Sequence, residues 1–209
     1  MIDERALLGS ALLIIQAIII IPLIVELRKT RSAEGISTIG ESAWLVAGTG
    51  WSLYGYLTGS TTLIISGMLA TLGSAIVLFL IRGDVDKENK KKTSLFGIAF
   101  FVLMILSAVV FQSFGLATFL SLFGVIQFVP QMVTSMKGIA AQDARGVPII
   151  STLLRALYTL TWAIYAAAWF WWGIGFQEID FPLAVWGATG FVAFSLQAMS
   201  GIVSIRKRG

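Results

Sequence analysis

The sequence contains no cysteine, no histidine and a single asparagine, Asn89, among its 209 residues. Without cysteine there is no disulfide, no thiolate metal site and no cysteine nucleophile, and without histidine the commonest general base and metal ligand is missing. Charge is equally scarce, at 12% of residues where soluble domains carry roughly 25%. A water-soluble surface cannot be built from so little, and the 57% of hydrophobic residues has to face lipid. The sequence therefore predicts an integral membrane protein that is not an enzyme, with no cofactor and no metal.

Long apolar runs fall at 6–26, 37–57, 61–82, 94–112, 115–136, 148–172 and 182–203. Seven such runs consume most of the chain and leave no room for a soluble domain. The first follows Met1-Ile2-Asp3-Glu4-Arg5, too acidic for the leading segment of a signal peptide, and is expected to remain as a span.

The basic residues test the count independently. Thirteen of the 15 fall in alternate connections: Arg28, Lys29 and Arg31; Arg82, Lys87, Lys90, Lys91 and Lys92; Lys137 and Arg145; Arg206, Lys207 and Arg208. The intervening connections, around Gly59, Ser113 and Glu178 to Asp180, have neither Lys nor Arg. By the positive-inside rule the N-terminus lies outside and the C-terminus in the cytosol, in a plasma or inner membrane. The net charge of +4 is thereby read as topology, with no nucleic-acid partner.

A shift of about 111 residues lays Gly35 on Gly146, Ile36 on Val147, Trp51 on Trp162 and Tyr54 on Tyr165, and one of about 108 lays Pro22 on Pro130. Each copy has a Pro near the inner end of one helix, a basic loop, and a Trp-containing second helix. Spans one and five run in the same direction, so the copies are parallel, with span four as the inverting element. The expected domains are 1–82, a first three-helix repeat; 83–113, a charged loop and linker helix; and 114–209, a second three-helix repeat.

These residues resemble the PQ-loop repeat superfamily, which includes the SWEET sugar transporters. Phe128-Val129-Pro130-Gln131 supplies the Pro-Gln pair of the second copy, while Ile21-Pro22-Leu23 keeps the Pro alone. Trp51-x-x-Tyr54-Gly55 and Trp162-x-x-Tyr165 resemble the family's aromatic signature. The resemblance implies seven transmembrane helices as two parallel three-helix bundles joined by a linker helix, moving a small polar solute by alternating access. Sugar is the first expectation. Family sugar sites usually carry an Asn on the third helix of each bundle, where this chain reads Ile65-Ser66-Gly67-Met68 and Val185-Trp186-Gly187-Ala188, so amino acids and other metabolites stay open. A receptor that binds without transporting is the alternative from another class.

Pro22 and Pro130 each remove a helix hydrogen bond and mark candidate hinges, with Gln131 able to offer its amide to a freed carbonyl. Trp51 and Trp162 lie about 21 Å into helices entered from the cytosol, where an indole face suits a small solute. With Tyr54, Ser66, Gly67, Gln127, Tyr165 and Gly187 they form the expected substrate-binding set. Trp169, Trp171 and Trp172 fit an outer aromatic belt. Two charges fall inside spans, Glu41 and Arg155, as a candidate cytosolic gate, with snorkelling to the interface as the alternative. Gln16, Thr71, Tyr158 and Gln197 either line a path or bond between helices, and the glycines around Gly48, Gly50, Gly55, Gly67 and Gly73 read as close helix packing. The expected partners are the solute and the lipid bilayer, with a homo-oligomer left open.

Overall fold

The computed structural model describes residues 4–30, 38–83, 85–141, 149–171 and 181–208. They are helical throughout, with no strand among them: α1 Glu4–Ile19, α2 Ile21–Thr30, α3 Thr38–Thr58, α4 Thr61–Ile81, α5 Lys87–Ala141, α6 Ile149–Trp171 and α7 Phe181–Arg208. Four stretches are long and apolar enough to cross a membrane, Thr61–Ile81, Lys87–Val125, Ile149–Ala167 and Phe181–Ile205, and a shorter one spans Gly9–Val25. The chain is thus an all-α protein compatible with a bilayer. The expected loop motifs at Arg31 to Ser37 and at Arg145 to Pro148, and Trp172, Glu178 and Asp180, lie outside the described residues.

The first apolar run is interrupted at Ile20, between α1 and α2 and two residues before Pro22. Proline has no N–H to continue the ladder and its ring crowds the preceding turn. The helix resumes at once, with the Ile24 amide donating to the Ile20 carbonyl at 3.0 Å.

The apolar stretch Lys87–Val125 has 39 residues. As a straight helix it would measure about 58 Å, roughly twice the hydrocarbon thickness of a bilayer. It is not straight, because Gln112 holds φ 53 and ψ −142. Ser107 Oγ donates to the Gly115 carbonyl at 2.8 Å, though eight residues of helix would separate the two by about 12 Å. Phe100 stacks on Phe119 at 5.2 Å. The chain therefore folds back on itself here, and α5 is a hairpin of two limbs, 87–111 and 113–141.

Other boundaries follow from local chemistry. Gly59, with φ 71, ends α3 in a Schellman arrangement: the Ser60 amide donates to the Gly55 carbonyl at 2.8 Å and the Gly59 amide to Tyr56 at 3.3 Å. Ser60 then caps α4, its hydroxyl accepting from the Leu63 amide at 3.4 Å. Two residues thus turn α3 into α4. Asp86 precedes α5 and accepts from the Asn89 amide at 2.8 Å and from the Asn89 side chain at 2.6 Å. The Asn89 amide holds the Asp86 carboxyl below its ordinary value of 3.8. With a depressed folded-state value, this cap is intact above that pH and is lost only as pH falls through the lower one.

The chain divides into two compact units, residues 16–120 and residues 1–15 with 121–209. In the first, α4 packs against two neighbours. Towards α3 it presents Gly67: a Cβ on Gly48 would stand 2.8 Å from the Gly67 carbonyl oxygen and 2.7 Å from Thr71 Oγ1. Towards α2 it presents Val77 and Ile81, which bury Leu23 and Leu27, and Gly73 lies against Ile20. Both limbs of α5 cover α3, where a Cβ on Gly50 would meet Met104 Sδ of the first at 2.6 Å and Leu120 Cδ2 of the second at 2.7 Å.

The other unit repeats the pattern. Here α7 takes the middle position. A Cβ on Gly187 would lie 2.6 Å from the Ala163 amide nitrogen and 2.7 Å from the Thr159 carbonyl oxygen of α6. On its other face Trp186 fills the space left by Gly124, and Phe128 packs beside Gly190 on the second limb of α5. Ser121 Oγ donates to the Pro182 carbonyl at 2.6 Å, tying that limb to the start of α7.

Candidate functional site

The aromatic motif of each copy forms a matching pair. Trp51 and Tyr54 meet edge to face at 5.7 Å and 75°, and Trp162 and Tyr165 at 5.3 Å and 80°. The i, i+3 spacing stacks the two rings on one helix face, and the quadrupoles favour the T-shaped approach. Trp51, Trp162 and Tyr165 are buried and Tyr54 is half-buried. One turn away on each helix lies the crossing just described, at Gly48 on α3 and Thr159 on α6.

The surroundings of the two pairs differ in chemistry. In the unit containing α6 the aromatic contacts continue: Tyr158 meets Trp162 at 6.2 Å and Trp186 at 6.4 Å, Trp186 meets Phe128 at 6.4 Å, and Phe128 meets Phe194 at 5.6 Å. In the unit containing α3, the aligned positions of α4 are Ser66 and Ser74, both buried. Small and polar groups line that interface. Ser52 Oγ donates to the Ile64 carbonyl at 3.0 Å, Thr71 Oγ1 to the Gly67 carbonyl at 2.9 Å, and the Thr49 and Thr71 hydroxyls meet at 3.3 Å. Gln16 is buried as well, and its Oε1 accepts no hydrogen bond from any described residue.

Gly67 and Gly187, expected to border a substrate, have their Cα faces occupied by α3 and α6. They set how closely the Trp-bearing helices approach. Pro22 is half-buried on α2. The side chains of Gln127, Pro130, Gln131, Trp169 and Trp171 lie outside the described set, although the backbone there is helical.

Glu41 is 4% exposed and accepts from Ser74 Oγ at 3.2 Å. It is buried, not snorkelled. Its place in the first turn of α3 sets the carboxylate near the positive end of the helix dipole, which offsets part of the desolvation cost. Ser42, next to it, lies against Gly97 of α5, and Thr38 shares a hydroxyl contact of 2.9 Å with Thr93. Arg155 is half-buried with its guanidinium carbon 5.9 Å from the Phe194 ring centroid, a cation–π distance. Phe194 and Ser74 occupy aligned positions, so each of these two residues is met by the same site on the third helix of its own unit.

The Ser74 to Glu41 bond is testable by a double-mutant cycle. Ser74→Ala and Glu41→Gln should show a coupling of about 1.5 to 3 kcal/mol in reversible unfolding, the range of a hydrogen bond to a charged group. Additive effects would mean that the hydroxyl does not support the carboxylate.

Among the described residues there is no cluster of three or more metal-ligating side chains. No family model matches the sequence, and no curated protein matches it.

Proposed function

We propose that the chain is a transporter of a small polar solute, built from seven membrane crossings as two parallel three-helix bundles and a linker helix, with the N-terminus outside and the C-terminus cytosolic. The observation that carries this reading is the duplicated Trp-x-x-Tyr pair, held in one geometry in both copies beside an equivalent small-residue crossing. A structural protein has no need to repeat the same indole and phenol at matching places in two copies, whereas alternating access between two repeats does. The second limb of α5, with α6 and α7, supplies three crossings; α1 with α2, α3 and α4 supply three; and the first limb of α5 is the linker.

Sugar remains the first candidate solute, supported by the PQ-loop and SWEET resemblance. Amino acids and related metabolites are the alternative, favoured by Ser66 and Trp186 where that resemblance leads one to look for an Asn. Pro22, Pro130 and Gln131 are the proposed hinge residues. The break at Ile20 supports the first of them.

Counterflow in proteoliposomes against labelled sugars and amino acids tests the function. Flux of one class is expected, and Trp51→Ala and Trp162→Ala should each reduce it at least about tenfold, the loss of one aromatic contact on the solute. Binding without flux in a folded protein would favour the receptor reading. Glu41 and Arg155 are proposed as the gate. Glu41→Gln and Arg155→Gln should be markedly non-additive in transport rate, and strict additivity would remove the case for a coupled pair.

A further inference from the structure

The first limb of α5 has two unlike faces. One is spent inside the protein: Thr93, Phe100 and Met104 lie against Thr38, Phe119 and Gly50. The other carries Leu95, Ile98, Val102, Ile105 and Val109, all exposed. Steps of three and four residues, the recurrence of one helix face, connect 98, 102, 105 and 109 back through 94 and 91 to 87. The apolar stripe therefore leads, by way of Leu95 and the small Ser94, to Lys87 and Lys91, with Lys90 on its flank, and all three lysines are exposed.

Among the described residues, the local carboxylates are otherwise engaged. Glu88 pairs with Lys92 at 2.7 Å, and Asp86 is bound to Asn89. Lys87, Lys90 and Lys91 form no ion pair with any described residue, and their cationic heads sit at the end of an apolar strip. That combination matches one partner: a molecule with an anionic head and two hydrocarbon tails.

We propose that this face binds an anionic phospholipid, with the headgroup phosphate held by Lys87 and Lys91, assisted by Lys90, and the acyl chains lying along Ile98, Val102 and Ile105. Charge complementarity distinguishes it from a zwitterionic lipid, and the length of the strip distinguishes it from a free anion. Basic clusters at the end of a membrane helix attract anionic headgroups in this way. The site makes no use of the transport reading and stands or falls separately.

The test uses the full chain reconstituted in phosphatidylcholine bilayers, with spin-labelled phosphatidylglycerol or spin-labelled phosphatidylcholine as the reporter of lipid held at the protein surface. Phosphatidylglycerol should be preferred by about fivefold or more, given the strength of a few lysines at a bilayer surface. The Lys87→Gln/Lys91→Gln pair should bring the preference close to one, the Lys87→Arg/Lys91→Arg pair should retain it, and Lys137→Gln, elsewhere on the surface, should leave it unchanged. These exposed positions make no contact on which folding depends. Equal association of the two lipids would overturn the proposal, as would a preference untouched by the Gln pair. Displacement by inorganic phosphate at equal concentration would reassign the site to a free anion, and cross-linking through Ile98→Cys between two copies would reassign the face to self-association.

Discussion

Gly67→Ala and Gly187→Ala are each expected to destabilise the protein by about 2 to 3 kcal/mol in reversible unfolding in mixed micelles, at the upper end of the range for overpacking. In a bilayer, two helices gain nothing from escaping water, because lipid tails are as apolar as leucine. What holds α3 on α4 is close approach, with the dispersion and interhelical hydrogen bonds that it permits. A Cβ on Gly67 would run into the Gly48 carbonyl oxygen and Ser52 Oγ, and would stand 2.6 Å from the Ser52 amide nitrogen. Those are backbone atoms or groups fixed to them. No rotamer change relieves the clash, so the helices must separate. Separation would lengthen the bonds from Ser52 to Ile64 and from Thr71 to Leu45, now 3.0 and 3.4 Å, and so add to the loss. The same reasoning holds for Gly187 against the backbone of Ala163 and Thr159. Gly83→Ala is the control: no atom lies within 4 Å of its added Cβ, and its effect should stay within about 0.5 kcal/mol. If Gly67→Ala proves as mild as Gly83→Ala, the crossing is looser than described.

These crossings bear on the site directly. Trp51 sits one turn from Gly48 and Trp162 one turn from Thr159, so the depth and tilt of both indoles are set where small residues let the helices touch. Gly67→Ala should therefore also weaken any solute flux, by moving the indole and not by removing it. Trp51 is buried, so Trp51→Ala costs stability as well, and the two variants are to be compared in flux per folded protein.

Much of this was legible in the residue order because the signals are local. Apolar runs, the interruption near Ser113, the Pro after Ile20 and the repeated Trp-x-x-Tyr each depend on neighbours a few residues apart. The close-packed role of Gly48 and Gly67 was legible too, since small residues on apolar helices have few other uses. The hydroxyl on Glu41 was not. Ser74 lies 33 positions away on another helix, and serine is too common in such helices to single out. The contrast between copies was also hidden: Ser66 against Trp186 and Ser74 against Phe194 read as unrelated substitutions until their shared place on the third helix is seen. Nor does the apolar run at 37–57 show how α3 tolerates its polar residues. Nine of its 21 residues are buried, including Glu41, Ser42 and three glycines, because it is sheathed by α4 and α5 and can remain polar.

The hairpin in α5 yields the second large effect, and its sign is the informative part. In a continuous helix, Gln112→Gly would cost about 1 kcal/mol and Gly115→Ala would gain about as much, from helix propensity alone. The fold-back reverses both. Gln112 holds φ 53 with ψ −142, a region that costs a residue with a Cβ about 1 to 3 kcal/mol and costs glycine little. Its side chain is exposed, so trimming it sacrifices no packing. After allowance for the extra freedom that glycine gives the unfolded chain, Gln112→Gly should stabilise the protein by about 1 kcal/mol, while Gln112→Val should destabilise it. Gly115, three residues on, has no room: a Cβ there would collide with the Phe111 Cβ and approach the Ser107 carbonyl oxygen to 2.9 Å. Gly115→Ala should consequently cost about 2 kcal/mol, and Ser107→Ala, which removes the bond across the turn, about 1 kcal/mol. Thermal or denaturant unfolding of the four variants decides between the geometries. Stabilisation at 112 with destabilisation at 115 requires a chain that turns back between them, whereas the opposite pair of signs would mean one long helix and would dissolve the division of Lys87–Val125 into two crossings.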